Sequence, residues 1–363
     1  MIGAPPRLAP TKQRERFNWP TTNAGSVMGS PLAGRMPRQV ENTSSTMPGL
    51  AGNDKFSGAA LAPDGKIYSM PWDYSFVAKL DPATQTQVAT SPSLAGGDKW
   101  SSATLAPNGC IYGAPGSVTT VLKYDPVADV ATTITDGGSG SLRYFGSILA
   151  PNGMIYCIPY NATTVLKIDP TRDTVTHLGS LSGSAKWYGG ILAPNGCIYG
   201  VPHSSTSVLK IDPQTDTITT FGSVAGATKA IGAVVTPSGM MYCIPLTTAF
   251  VMKIDTLNDV VSTFGTISGS LNWVGGSLGV DGCVYGLPYR AATVLKIDPV
   301  DDSITTFNHG LSGIDRYRHG VLAPDGYIYA AGTYDASSIL KIGQYETRLP
   351  LQMLLQPERQ QGM

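Results

Sequence analysis

Charge is scarce in this 363-residue chain: 14% of its residues are Asp, Glu, Lys or Arg, and 25 basic side chains face 25 acidic ones. A neutral balance supplies no concentrated basic surface, so nucleic-acid binding driven by counterion release is not expected. Glutamate is scarcer still. Its four occurrences, Glu15, Glu41, Glu346 and Glu358, all fall outside the stretch from Phe56 to Ile342, which therefore has no Glu to serve as acid or base. The four histidines, His177, His203, His309 and His319, occupy unlike positions and lack the fixed partner that a catalytic triad or metal-ligand set requires. Glycine-rich phosphate loops and HExxH are also missing, so no catalytic residue, cofactor or metal is expected. No run approaches the roughly 20 apolar residues of a membrane span, and the opening residues lack the apolar core of a secretory signal. The expectation is a soluble protein that is not exported by the general route. Five cysteines, Cys110, Cys157, Cys197, Cys243 and Cys283, form no CxxC pair and read as buried thiols of a reducing compartment.

Glycine and proline, by contrast, are abundant, with 42 and 27 residues, which favours short strands and tight turns. One phrase, Leu61-Ala-Pro-Asp-Gly-Lys-Ile-Tyr68, recurs seven times, restarting at Leu105, Leu149, Leu192, Val235, Leu278 and Leu322 at spacings of 44, 44, 43, 43, 43 and 44 residues. A period in the forties built of short apolar runs and turn signals is that of a four-stranded propeller blade. The fold class is therefore all-β, a seven-bladed β-propeller with extended N- and C-terminal tails. In the fourth repeat the strands read as 189–193, 197–201, 208–212 and 217–221, joined by the Pro194-Asn195-Gly196 and Asp212-Pro213 turns. Gly, Ala and Ser crowd the first strand of each repeat, as at Gly189-Gly190 and Gly275-Gly276, because seven inner strands converge on one axis. The expected divisions are a basic Pro-rich arm at 1–37, the propeller at 38–343 and a docking tail at 344–363. Residues around 40–47 are expected to supply the outer strand of the last blade, the rival being 345–351.

Two further patterns follow the blades. Repeats two, four and six read Cys-[Ile/Val]-Tyr-Gly and repeats three and five Met-[Ile/Met]-Tyr-Cys, which is expected to set Met against Gly and Cys against Cys across blade interfaces, with reactive thiols as the alternative. Every third strand carries a Lys (Lys79, Lys123, Lys167, Lys210, Lys253, Lys296, Lys341) beside a Tyr of the second strand. Its stem is expected to pack on the ring while the ammonium reaches a turn carboxylate or solvent; an anion-binding ring is the other reading.

A cation–aromatic pair precedes the first strand: Lys55-Phe56, Lys99-Trp100, Arg143-Tyr144, Lys186-Trp187 and Arg316-Tyr317, with Trp273 alone in the sixth repeat. In an up-and-down blade these pairs share an end with the loops after the second strand, which carry Trp72, Tyr160, His203, Tyr289 and Arg290. Two readings stand. Either the aromatic wedges between blades with its cation solvated, or the face binds a ligand by stacking sugar rings and pairing with acidic groups. For the tails, Arg7, Lys12, Arg14 and Arg16 mark a flexible basic arm, and Leu349, Leu351, Met353, Leu354 and Leu355 mark an apolar docking segment.

The phrase Leu-Ala-Pro-Asn-Gly-x-Ile-Tyr-Gly-x-Pro at 192–202, with Val-Leu-Lys-Ile-Asp-Pro at 208–213, resembles propeller repeats of uncharacterised proteins from tailed bacteriophages and large viruses. That resemblance implies a non-enzymatic virion component, a head-decoration or tail protein made in the host cytoplasm. Its tails would meet other virion proteins, and its propeller would act as stabiliser or host-surface binder, with a surface glycan as candidate partner. The alternative is a soluble glycan-binding or scaffolding propeller. The recurring Pro-Asn/Asp-Gly-x-Ile-Tyr is also similar to propeller lyases acting on streptogramins. That similarity implies a His and a Glu in the ring, and this ring has no Glu to take the role.

Overall fold

The computed structural model describes residues 41–48, 50–51, 55–90, 93–269, 272–309, 317–332 and 338–345. The arm at 1–37, Arg316 and the segment 349–357 lie outside the described residues, so the docking residues expected there carry no structural account.

Seven four-stranded antiparallel sheets follow one another along the chain. The inner strands of successive sheets abut, and the first, Phe56–Leu61, also abuts the last, Tyr317–Leu322, so the sheets close into a seven-bladed ring. In the seventh sheet the outer strand is Glu41–Pro48, which runs antiparallel to Ser338–Tyr345 with Glu41 opposite Tyr345 and Pro48 opposite Ser338. That third strand thus continues through Gln344 and Tyr345, past residue 343, because Asn42 and Glu41 pair with them.

Burial peaks at the second strand of each blade and falls from there to the rim. In the fourth blade the strands are Trp187–Leu192, Ile198–Pro202, Val208–Asp212 and Thr217–Phe221. The second strand is buried at every position, since it is sandwiched by the neighbouring blades, and its near-continuous apolar run meets that demand. The outer strand alternates exposed Thr with half-buried Ile and Phe, as expected where one face meets water. The inner strand begins at Trp187, earlier than its Gly-Gly core, because a bulge joins Trp187 to the ladder: Trp187 faces Pro202, and the next registered pair is Gly190 with Gly200. Gly189 turns that bulge at φ +79°. The corresponding Gly232 sits at φ +78°, and a Cβ on it would lie 2.9 Å from the Gly275 Cα of the next blade, so the hub closes on bare backbone.

Each second-strand tyrosine receives one carboxylate, from one of two places. In blades two to five the carboxylate comes from the next blade's outer turn. Tyr112, Tyr156, Tyr199 and Tyr242 donate to Asp173, Asp216, Asp259 and Asp302 at 2.6–3.0 Å, and Lys123, Lys167, Lys210 and Lys253 pair with the same groups at 2.6 Å. In blades one, six and seven the hairpin itself carries Asp in place of Asn or Ser, and Tyr68, Tyr285 and Tyr329 donate to Asp64, Asp281 and Asp325. Where Asp325 fills the role, the outer-turn position of the following blade is Gln85, at φ +56° like the aspartates that replace it elsewhere. The third-strand lysines of blades two to five are therefore latched between blades, with Lys210 5.7 Å above the Tyr199 ring, whereas Lys296 and Lys341 pair with Asp281 and Asp325 of their own blades.

All five cysteines are free thiols. Cys110 shares a core cluster with Cys157, and Cys197 packs on the cluster of Cys243. The room left by Gly200 and Gly286 is taken first by Leu209 and Leu295 of the same blade and then by Ile158 and Ile244 of the preceding blade, not by the expected methionines. These isoleucines directly follow Cys157 and Cys243, so each alternates in face with its cysteine and reaches the opposite interface.

Candidate functional site

At the end of the ring where each chain enters its inner strand and leaves its second strand, the loops are joined by a belt of main-chain hydrogen bonds. Lys99 N–H donates to Trp72 O, Gly116 to Lys99, Arg143 to Gly116, Tyr160 to Arg143, Lys186 to Tyr160, His203 to Lys186, Lys229 to His203, Leu246 to Lys229, Asn272 to Leu246 and Tyr289 to Asn272, at 2.7–3.1 Å. Because only backbone is used, the belt tolerates any side chain at the positions between the cations.

The cations themselves point inward. Lys55, Lys99, Arg143, Lys186 and Lys229 are at most 3% exposed. The Lys186 ammonium donates to the carbonyls of Gly183, Ala162 and Tyr160 at 2.9, 2.8 and 3.2 Å, so it ties its own loop to that of the preceding blade. Lys99 and Lys229 cap Gly96 and Gly226 in the same way, and Asn272 reaches Ser268 O with an uncharged amide. Arg143 bonds Val118 O and pairs with buried Asp136 at 2.8 Å. Burial lowers the pKa of Lys99, Lys186 and Lys229.

The aromatic partners are buried too. The indole N–H groups of Trp100, Trp187 and Trp273 donate to Thr120, Ser207 and Thr293 carbonyls at 2.7–2.8 Å, and Phe56, Tyr144 and Tyr317 are core residues. Neither reading of the cation–aromatic pairs is therefore correct in full. Lys55, Phe56, Lys99, Trp100, Arg143, Tyr144, Lys186, Trp187, Trp273 and Tyr317 offer no ligand face, and the wedge holds for the rings, but the cations are buried instead of solvated, Lys99 and Lys186 against carbonyls and Arg143 against a carbonyl and Asp136. A converging set of loop carbonyls must be paired once water is excluded, and a long cationic side chain reaches several of them at once.

Lys186→Met removes all three of these bonds while keeping the stem. It is expected to destabilise the fold by about 2–4 kcal/mol, since buried carbonyls are left without donors. Urea denaturation of both proteins checks this, and an unchanged midpoint would refute the role.

A bowl of about 460 Å³ opens at the mouth of the ring. Four of the loop residues singled out from sequence line it: Trp72, Tyr160, His203 and Tyr289. Arg290 is exposed and sits with its guanidinium 5.8 Å from the Tyr289 ring, outside the lining. Sequence reasoning missed Phe145, Tyr188, Ile231, Val274 and Arg318, each one residue after the wedge position. Their signal was variation. That column reads Ser57, Ser101, Phe145, Tyr188, Ile231, Val274 and Arg318, between a column that is aromatic in six of seven repeats and one that is Gly in five.

Phe145 stacks on Tyr188 at 4.1 Å and 20°, with Trp72 5.4 Å from Phe145 and Tyr160 set edge-on at 5.0 Å. His203 lies 5.4 Å from Tyr160 and 6.0 Å from Tyr188. Its Nδ1 is 3.3 Å from the Ala185 carbonyl and 3.2 Å from Ser204 Oγ. A carbonyl only accepts, so Nδ1 carries the proton and Nε2 presents a lone pair. Burial, with help from the Lys229 charge, pushes the His203 pKa down and keeps the ring neutral. The Tyr188 phenol is pushed up to about 12 by burial, against the opposing effect of Arg318. No Asp or Glu lines the bowl among the described residues, and none of them form a group of three or more His, Cys, Asp or Glu side chains placed to hold a metal ion.

The propeller fold defined by this geometry has known counterparts. Residues 127–239 match a family described as a repeat of unknown function (DUF6923). No match is found among curated proteins. Among solved structures, virginiamycin B lyase from Staphylococcus aureus superposes with a TM-score of 0.73 at 12% identity, covering 84% of this chain and 99% of that one. A streptogramin B lyase gives 0.71 at 13%, covering 86% and 100%. The extracellular domain of a putative hybrid two-component system from B. thetaiotaomicron gives 0.64 at 12%, covering 84% and 43%. The chain is a seven-repeat β-propeller, and at these identities it shares with the streptogramin lyases a fold alone.

Proposed function

We propose that the protein is a non-enzymatic virion component of a tailed bacteriophage, a head-decoration or tail protein held through its terminal segments, whose propeller is displayed as a host-surface binder with the bowl as its contact. The observation that carries the binding role is the bowl itself, where rigid stacked rings stand beside a neutral histidine and a guanidinium at a solvent-open mouth. Aromatic walls with a few convergent polar groups are the make-up of a ligand site. Among the described residues no carboxylate lines the bowl to serve His203 as an acid–base partner, which favours binding over turnover. The virion setting rests on the resemblance of the 192–213 repeat phrase to phage propellers.

A truncated chain of residues 38–345 keeps every described strand. It is expected to fold with an unchanged melting transition and to be lost from purified particles that contain the full chain. Retained incorporation, or absence of the full chain from particles, would overturn the proposal.

A second reading, a propeller lyase, is favoured by the fold likeness and by the His203 Nε2 lone pair. Related structures include a catalytically inactive histidine-to-alanine variant of virginiamycin B lyase with quinupristin. Turnover of a streptogramin B by this protein, lost in His203→Ala, would establish that reading in place of the first.

A further inference from the structure

We infer that the face opposite the bowl, made of the hairpins and outer turns, docks a polypeptide segment carrying Lys or Arg between aliphatic side chains, on the sector of blades five to seven. The inference rests on the reading that the protein is held to a larger assembly through its terminal segments, and it names the surface and chemistry of that attachment.

Chain direction points to this face. The third strand of a blade runs away from the bowl and ends at the outer turn, as Val208–Asp212 does. Ser338–Tyr345 is the third strand of blade seven and runs the same way: Ile342 faces Ile328, the first residue after the hairpin, and Tyr345 continues past it. Glu41 is registered opposite Tyr345. The chain therefore enters blade seven and leaves it on the turn side, so a partner held by the flanking residues is brought to the turns before the bowl.

Apolar exposure is concentrated beside that point. Leu257 and Val300 hold equivalent places in the outer turns of blades five and six and are 63% and 93% exposed. Val280, in the hairpin of blade six, is 67% exposed at a place taken by Pro in the other blades. The turns do not need these side chains, since Asp255 and Asp298 close them by accepting the Leu257 and Val300 N–H groups. Asp302 of the blade-six turn accepts from Lys253 of blade five, which sets the two turns side by side. Val280 in turn reaches the hairpin of blade seven, where a Cβ on Gly326 would lie 3.7 Å from it. Grouped aliphatic tips of this kind mark a contact surface.

Charge names the partner. Asp255, Asp298 and Asp301 stand at the same tips and pair with no Lys or Arg among the described residues, whereas Lys253, Lys296 and Lys341 of this sector are taken by Asp302, Asp281 and Asp325. Hydrogen bonds from Asn258 and Ser303 hold Asp255 and Asp301 below the usual carboxylate range, so both stay charged at neutral pH. A second copy docked face to face would set carboxylate against carboxylate, which disfavours self-pairing and selects a cationic partner. Val127, 96% exposed beside Asp125, repeats the motif on blade two, but it stands between turns carrying Ala83 and Thr171 and supplies an internal control.

The test is calorimetric titration of the full chain with three synthetic peptides, repeats of Lys-Leu-Ser, Lys-Ser-Ser and Glu-Leu-Ser. The Lys-Leu-Ser peptide is expected to bind about tenfold or more tightly than the other two. Leu257→Ser combined with Val300→Ser should remove that advantage at an unchanged melting transition, and Val127→Ser should leave it intact. Asp298→Asn with Asp301→Asn keeps the turn acceptors and should weaken binding, most at low salt. Equal binding of Lys-Leu-Ser and Lys-Ser-Ser, or equal loss in Val127→Ser, overturns the sector. Tightest binding of Glu-Leu-Ser overturns the charge class, and a concentration-dependent dimer lost in Val300→Ser assigns the face to a second copy instead. No binding of any peptide overturns the inference. The peptides read this surface whether or not the chain occurs in particles, so its failure and that of the virion reading are separate results.

Discussion

Alkaline titration is expected to unfold this propeller in one cooperative step near about pH 11, with tyrosinate absorbance appearing together with loss of the β signal. Ten tyrosines have raised pKa values, chiefly through burial: Tyr68, Tyr112, Tyr124, Tyr144, Tyr156, Tyr160, Tyr188, Tyr199, Tyr242 and Tyr329. For Tyr112, Tyr144, Tyr188 and Tyr199 the shift is to about 12 from an ordinary 10.0. A folded pKa above the unfolded one means that the native state holds its proton longer. The stabilising contribution is complete below the unfolded value and is lost as pH rises from there toward the folded value. At about pH 11 each such phenol favours the unfolded chain by about 1.4 kcal/mol, so these four alone remove about 5 kcal/mol, the lower end of a domain's stability.

Lys99, Lys186 and Lys229 act in the opposite direction. Their folded pKa values are lowered, so the penalty of burying their charge fades as pH climbs toward the ordinary 10.5. Three groups do not outweigh ten, and Cys243 and Cys283, pushed up to about 12 mainly by burial, side with the tyrosines. Independent titration of the phenols near their ordinary value, with the fold intact through about pH 11, would show that the rings are not sealed as described.

Gly232→Ala is expected to cost about 3 kcal/mol or more, and Gly196→Ala only about 1 kcal/mol. Both glycines hold left-handed backbone, at φ +78° and +82°. The difference is space. A Cβ on Gly196 meets nothing within 4 Å, whereas one on Gly232 lies 2.9 Å from Gly275 Cα and 3.3 Å from Gly275 N. Those are main-chain atoms of the adjacent inner strand, so relief requires blades five and six to part at the axis, and the loss propagates through a closed ring. Chemical denaturation of the two variants separates the effects; equal losses would mean that the hub glycines serve conformation alone.

How much of this was readable beforehand differs between local and convergent features. The Asn195-Gly196 hairpin, the Asp212 turn and the fully apolar second strand express preferences carried by a few neighbouring residues, and the structure places them within a residue or two of their expected bounds. The outer turn latch was half legible: a Tyr–Lys pair meeting a turn carboxylate follows from the repeat, but the exchange of Asp325 for the missing aspartate at Gln85 shows only when adjacent blades are seen together.

By itself, then, the amino-acid order determined the number of blades, the radial order of strands and the small residues at the axis, because strand alternation, turn chemistry and a 43–44-residue period are written locally and repeated. Tertiary structure alone decided that Lys186 turns inward, since its three carbonyl partners come from two loops brought together by ring closure. It alone assembled the bowl from Trp72, Phe145, Tyr188, His203 and Arg318, which come from four different blades. No spacing along the chain encodes which variable side chains will share a mouth; the curvature of the closed ring does that.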